Sequence, residues 1–172
     1  MSSMETSGLE SECPLRDNRR FAMNSTDFSL LYSVLLPNAP ILPGGDVPVF
    51  VVDWEMSQLG TCNLDLGQMV AELYELWLYR SITAGLWIIE GFMTGYGAVP
   101  EESAFRTAIQ VGAHLVCFGT SVPGWGTTEQ NEMVAAKGRD LIMHAWKKDR
   151  KWFDDSDLSC LFNPVPDGIS AD

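Results

Sequence analysis

Apolar residues change their spacing once along this chain. From Leu30 to Asp53 they come in short continuous runs, "LLYSVLLP" and "VPVFVVD", parted by "NAPILPGGD" with its prolines and paired glycines. The runs predict two strands joined as a hairpin with a long connection. Beyond Asp65 the spacing becomes helical. In "DLGQMVAELYELWLYRS" the positions Leu66, Met69, Val70, Leu73 and Trp77 share one helix face. "ITAGLWIIEGFMTGYG" continues as a second helix, weakened by its glycines and ending near Gly97. Pro100 opens a third, with Glu101 and Glu102 in its first turn, running through "AFRTAIQVGAHLVCFG". Thr127 and Gln130 form a capping box for a fourth, "TEQNEMVAAKGRDLIMHAWKKD", and Lys147 and Lys148 suit its C-terminal end. "WFDDSDLSCLF" adds one short helix. The expected fold class is α+β, one β-hairpin followed by four or five helices. Residues 1–28 are polar and patternless and are expected to be disordered, as is the tail 163–172, leaving one domain over 29–162.

Composition narrows the function. The chain has 172 residues, enough for one domain with a real core. A net charge of −12 argues against a nucleic-acid surface, which needs clustered Lys and Arg. Cys13, Cys62, Cys117 and Cys160 form no CxxC pair, the usage of a reducing compartment. His114 and Cys117 have ligand spacing on a helix, but two groups without partners make a poor metal site. The arginines before "FAMNSTDFSLLYSVLLP" are followed by Asp27 and no small-residue cleavage site, so no signal peptide is read there. The apolar stretch from Val70 to Val99 carries Glu72, Glu75, Arg80 and Glu90, too much charge for a membrane span. The expectation is a soluble, cytoplasmic protein without nucleic-acid or membrane partners.

Two aspartates carry the candidate chemistry. Asp53 closes an apolar strand, a rigid place for a hard oxygen ligand of Mg²⁺, and Glu55 would add a second oxygen if the chain stays extended. An Asp at a strand end also simply begins a turn. Asp65 and Gln68 in "DLGQ" have the pattern of an N-cap with its N3 partner, a structural role compatible with a functional one. His114 sits among apolar neighbours as an ordinary helix residue, and His144 reads as a surface or interfacial one.

The segment "VVDWEMSQLGTCNLDLGQMVAELY" resembles the metal-binding segment of the aminoglycoside phosphotransferase family, relatives of choline kinases with the protein-kinase-like fold. There an apolar strand ends in Asp-x-Glu or a similar triplet, a glycine follows, and Asp-Leu-Gly or Asp-Leu-Ala heads a helix. "GAHLVCFGTSVPGWGTTEQ" and "AWKKDRKWF" are similar to the C-terminal helices of fungal members. The resemblance runs from about Leu31 to Phe162 and implies part of a kinase-like C-terminal lobe. It makes Asp53 the Mg²⁺ ligand that reaches the ATP phosphates, Glu55 an auxiliary, and Asp65 a buttress holding the catalytic loop. It further implies a small-molecule hydroxyl acceptor gripped by acidic and aromatic groups. Glu72, Glu75 and Trp125 are loose candidates for that grip, against a solvated helix face for the two acids and a packed loop for the tryptophan.

The family's catalytic loop, His-x-Asp with Asn five residues later, should lie just before "VLLP". Its Asp position falls on Phe28 and its Asn position on Ser33. Asp27 takes the catalytic place only if one residue is inserted, and Tyr32 then stands where Asn belongs. No histidine, glycine-rich loop or strand-borne Lys stands upstream. The expectation is therefore an ATP-dependent phosphotransferase truncated and inactive as written, either as a true fragment or through an incomplete reading frame ahead of Ser29. The alternative is a non-catalytic helical interaction module that self-associates through an exposed apolar face.

Overall fold

The computed structural model describes residues 60–162. Ahead of them it gives the backbone of four two-residue strands, in two antiparallel pairs: Ala22–Met23 with Ser57–Gln58, and Val34–Leu35 with Phe50–Val51. The described span is helical and holds no strand or sheet. This corrects the α+β expectation of one hairpin feeding the helices. Two residues a side make a backbone bridge, well below the strand length that gives a hairpin its own stability. Asp27, Asp53, Glu55, Cys13, and the disorder expected for 1–28 and 163–172, lie outside the described residues.

The first helix, α1 (Cys62–Arg80), is the core of the arrangement. Leu66, Val70 and Leu73 are buried as their spacing predicts, with Met69 and Trp77 partly buried against the core. Ala71, Tyr74 and Tyr79 are buried too, so α1 is covered on more than one face. It begins three residues before Asp65. Thr61 is the N-cap, and Asp65 lies in the first turn, where a negative charge suits the helix dipole. The expected Asp65–Gln68 cap is thus not formed, because nothing in "TCNL" stops the helix from starting earlier. At the other end Ser81 adopts a left-handed φ of 53°. Its N–H reaches the Trp77 carbonyl, the 5→1 bond of an αL cap, and the Ile82 N–H reaches that of Leu76, so the last carbonyls of the helix are satisfied.

Helix α2 (Ala84–Tyr96) packs back along α1, with Gly85 against the Leu73 carbonyl, and ends at Gly97. Helix α3 (Glu101–His114) lies on another side of α1 and continues as a π-helical turn, Leu115–Gly119. After a loop, Thr127 and Gln130 exchange the reciprocal bonds of the predicted capping box and start α4 (Thr128–Trp146), which crosses α3. A short α5 (Arg150–Asp154) and a 3-10 turn (Ser159–Phe162) close the span. Phe162 packs at 4.8 Å from Phe105 and 4.7 Å from Phe153, ring centre to ring centre, tying the C-terminal end to α3. His144 stacks on Trp152 at 4.3 Å and pairs with Asp149, which also caps α5.

Candidate functional site

Three polar side chains of α1 fall at i, i+3 and i+7: Glu72, Glu75 and Tyr79. That spacing puts them on one helix face, and the face points into the seam between α1 and the end of α3 rather than to solvent. Glu75 is buried at 5% exposure and Glu72 is half-buried, so the solvated acidic face expected here is not what forms. Gln68, one turn upstream, donates its Nε2–H to Glu72 Oε1 at 3.1 Å.

His114 reaches the same seam from α3. Its Nε2 stands 3.5 Å from Glu75 Oε1, both side chains being largely buried. The distance is that of an ion pair, yet the surroundings favour uncharged forms. Burial pushes the Glu75 carboxyl up to about 8, with the Glu72 charge adding to the effect, and burial pushes the His114 imidazole down. Burial likewise raises Glu72 to about 7, against the opposing bond from Gln68. We take desolvation as the stronger influence, because no described hydrogen bond reaches Glu75 Oε1 to hold it as a carboxylate.

The π-turn closes the seam. A Cβ on Gly119 would lie 2.5 Å from Glu75 Oε1, so any larger residue there would push the Glu75 carboxyl from its place. The Tyr79 hydroxyl donates to the Gly119 carbonyl at 2.8 Å and lies 3.0 Å from the Asn131 side-chain amide of α4. Both the Gly119 carbonyl and Asn131 Oδ1 are acceptors within reach of the one hydroxyl proton, so the tyrosine is shared between the turn and α4. Trp125 sets its ring edge-on to Tyr79 at 5.8 Å, and Gln130 donates to the Tyr79 carbonyl. π-helical turns are rare and are frequently found at functional sites.

The structure thus brings together Glu72, Glu75, His114 and, through Tyr79, Trp125. It places Asp65 apart from them, half-buried at the head of α1. Asp53 and Glu55 fall outside the described residues, so their fit to Mg²⁺ rests on donor chemistry alone: two carboxylates suit a hard divalent cation. Among the described residues no three His, Cys, Asp or Glu side chains gather as a metal site, and no helix is long and apolar enough to cross a membrane. Burial pushes the Cys160 thiol up to about 11, which keeps it unreactive. Tyr79, Asn131 and Gly119 were not singled out from the sequence. The i+7 spacing of Tyr79 from Glu72 was the available signal, but the partners come from other helices.

The chain is related to proteins of a phosphotransferase- or kinase-like class. Phosphotransferase FrzJ of Cladobotryum sp is 29% identical over 150 residues, covering 87% of this chain and 38% of that protein. 4-Hydroxytryptamine kinase of Psilocybe cyanescens is 24% identical over 104 residues, 59% of this chain and 28% of that protein. The enzyme of the same name from Psilocybe cubensis is 24% identical over 92 residues, 52% of this chain and 25% of its own length. The chain therefore spans between a quarter and two fifths of the length of the curated relatives it matches. No family model and no solved structure matches it. A match of 150 residues within 172 has to pass through Asp53, Asp65 and all of α1 to α4.

Proposed function

We propose that this chain is the helical, metal-binding part of an ATP-dependent phosphotransferase of the aminoglycoside phosphotransferase kind, acting on a hydroxyl of a small molecule. The observation that carries the reading is the similarity to the Cladobotryum phosphotransferase, which runs through Asp53 and the helix that Asp65 heads. Asp53 holds Mg²⁺, with Glu55 beside it. Bound there, the ion neutralises charge on the ATP phosphates. Asp65, at the start of the central buried helix, holds the backbone of the catalytic loop. Phosphoryl transfer depends on positioning and charge neutralisation, so each of these carboxylates is costly to lose.

The same reading has the polypeptide inactive by itself. Asp27 has Tyr32 rather than Asn five residues on, and nothing in the chain supplies a glycine-rich nucleotide loop. A phosphoryl-transfer assay with Mg-ATP and a panel of amino-hydroxyl compounds tests this. The expected result is no turnover above background. Turnover abolished by Asp53→Ala would confirm the metal ligand and overturn the inactivity.

A further inference from the structure

The seam beside the π-turn has a feature that phosphoryl transfer does not use. Glu75 Oε1 is enclosed between His114 Nε2 at 3.5 Å and the Gly119 backbone, and no described group gives it a hydrogen bond. The groups facing it can be named element by element. Its own helix α1 contributes Glu72 and Tyr79, and α3 contributes His114. The π-turn presents backbone, its Cys117 being exposed, and α4 presents the uncharged Asn131 through Tyr79.

We propose that Glu75 and His114 hold a single proton between them as a latch that keeps the π-turn Leu115–Gly119 against α1, and that losing this proton loosens the turn. With one proton the pair is neutral overall, whether it sits as a carboxylic acid facing imidazole or a carboxylate facing imidazolium. With none, a full carboxylate charge stays in a seam with little water, held at most by the single Nε2–H of a neutral imidazole at 3.5 Å, with Glu72 one turn away. A buried charge so weakly compensated is disfavoured.

Linkage fixes the window. With the turn closed, the pair keeps its proton up to about pH 8, the value to which burial raises Glu75. With the turn open, Glu75 returns to its ordinary 4.5 and His114 to 6.5, so the proton, now on His114, is lost above 6.5. Below 6.5 the raised Glu75 and the lowered His114 act in opposite directions, so the pair makes closing less sensitive to pH there. Between 6.5 and 8 the closed state binds one more proton, so closing weakens as pH rises and then levels. A window of about 1.5 pH units corresponds to roughly thirtyfold in the opening equilibrium. The latch stands whether or not the chain transfers phosphate.

Amide hydrogen exchange by mass spectrometry, corrected for intrinsic rates, tests it on the full chain and on Glu75→Gln, which mimics the protonated acid. Protection of residues 115–121 is expected to fall about eightfold from pH 6.5 to 8, toward a limit of roughly thirtyfold at higher pH, while α2 is unchanged. In Glu75→Gln the fall should vanish, and in Glu72→Gln it should persist. A flat profile for the natural chain, or the same fall in Glu75→Gln, overturns the latch. If Glu75→Gln does not fold, the carboxyl carbon shift of Glu75 and the imidazole nitrogen shifts of His114 in the natural chain decide. A step near pH 8 at either group supports the latch, and ordinary steps near 4.5 for Glu75 and 6.5 for His114 overturn it.

Discussion

Tyr79 shows how much one side chain can organise. It lies on the buried face of α1, and its hydroxyl holds the Gly119 carbonyl at 2.8 Å, in a turn whose carbonyls the regular helix no longer satisfies. Its ring takes the edge of Trp125, and Gly126 lies so close that a Cβ there would meet the ring at 2.5 Å. Replacing Tyr79 by Phe keeps the ring and removes the hydroxyl, leaving a buried carbonyl without its donor. The expected loss is about 1–3 kcal/mol, read from urea denaturation. A loss within a few tenths of a kcal/mol would mean that water takes over the bond. At this scale the sequence was only partly legible. Glu72 and Glu75 were visible as a pair of acids, but their burial depends on His114 and Gly119, 39 and 44 residues beyond Glu75, and local spacing cannot report such partners.

Among the elements, α3 and α4 meet backbone to backbone. A Cβ on Gly112 would stand 2.5 Å from the Gly138 carbonyl, and one on Gly138 would stand 2.7 Å from that of Gly112. Because the obstructing atoms are backbone on both sides, no side-chain rotation relieves the clash. Gly138→Ala should therefore destabilise the fold by about 1–3 kcal/mol, lowering the thermal midpoint. An unchanged midpoint would show that the helices slide apart at no cost. The helices were legible because each carries its own apolar stripe and its own stop, and the Thr127 cap is a purely local device. The start of α1 was misplaced because Asp65 looks like a cap while the helix needs none there. The π-turn was not legible: "LVCFG" has the composition of an ordinary helix end, and the groups it meets, Glu75 and Tyr79, lie some forty residues earlier on α1. The hairpin expectation failed because short apolar runs mark burial as readily as they mark paired strands.

For the whole molecule, α1 is the reference to which the rest is fastened. Asp65 stands at its head, the Glu75–His114 seam lies further along it, and α2 and α3 pack on separate sides. In the proposed enzyme this gives the metal-binding segment around Asp53 a fixed base. The most direct test is a graft. The segment of the Cladobotryum phosphotransferase that matches this chain is exchanged for this chain's own, and ATP-dependent turnover is measured with and without Asp53→Ala. We predict that the graft turns over and that Asp53→Ala lowers kcat by roughly a thousandfold, the scale expected for a lost phosphate-stabilising group. A graft that turns over equally well with alanine at position 53 would contradict the account.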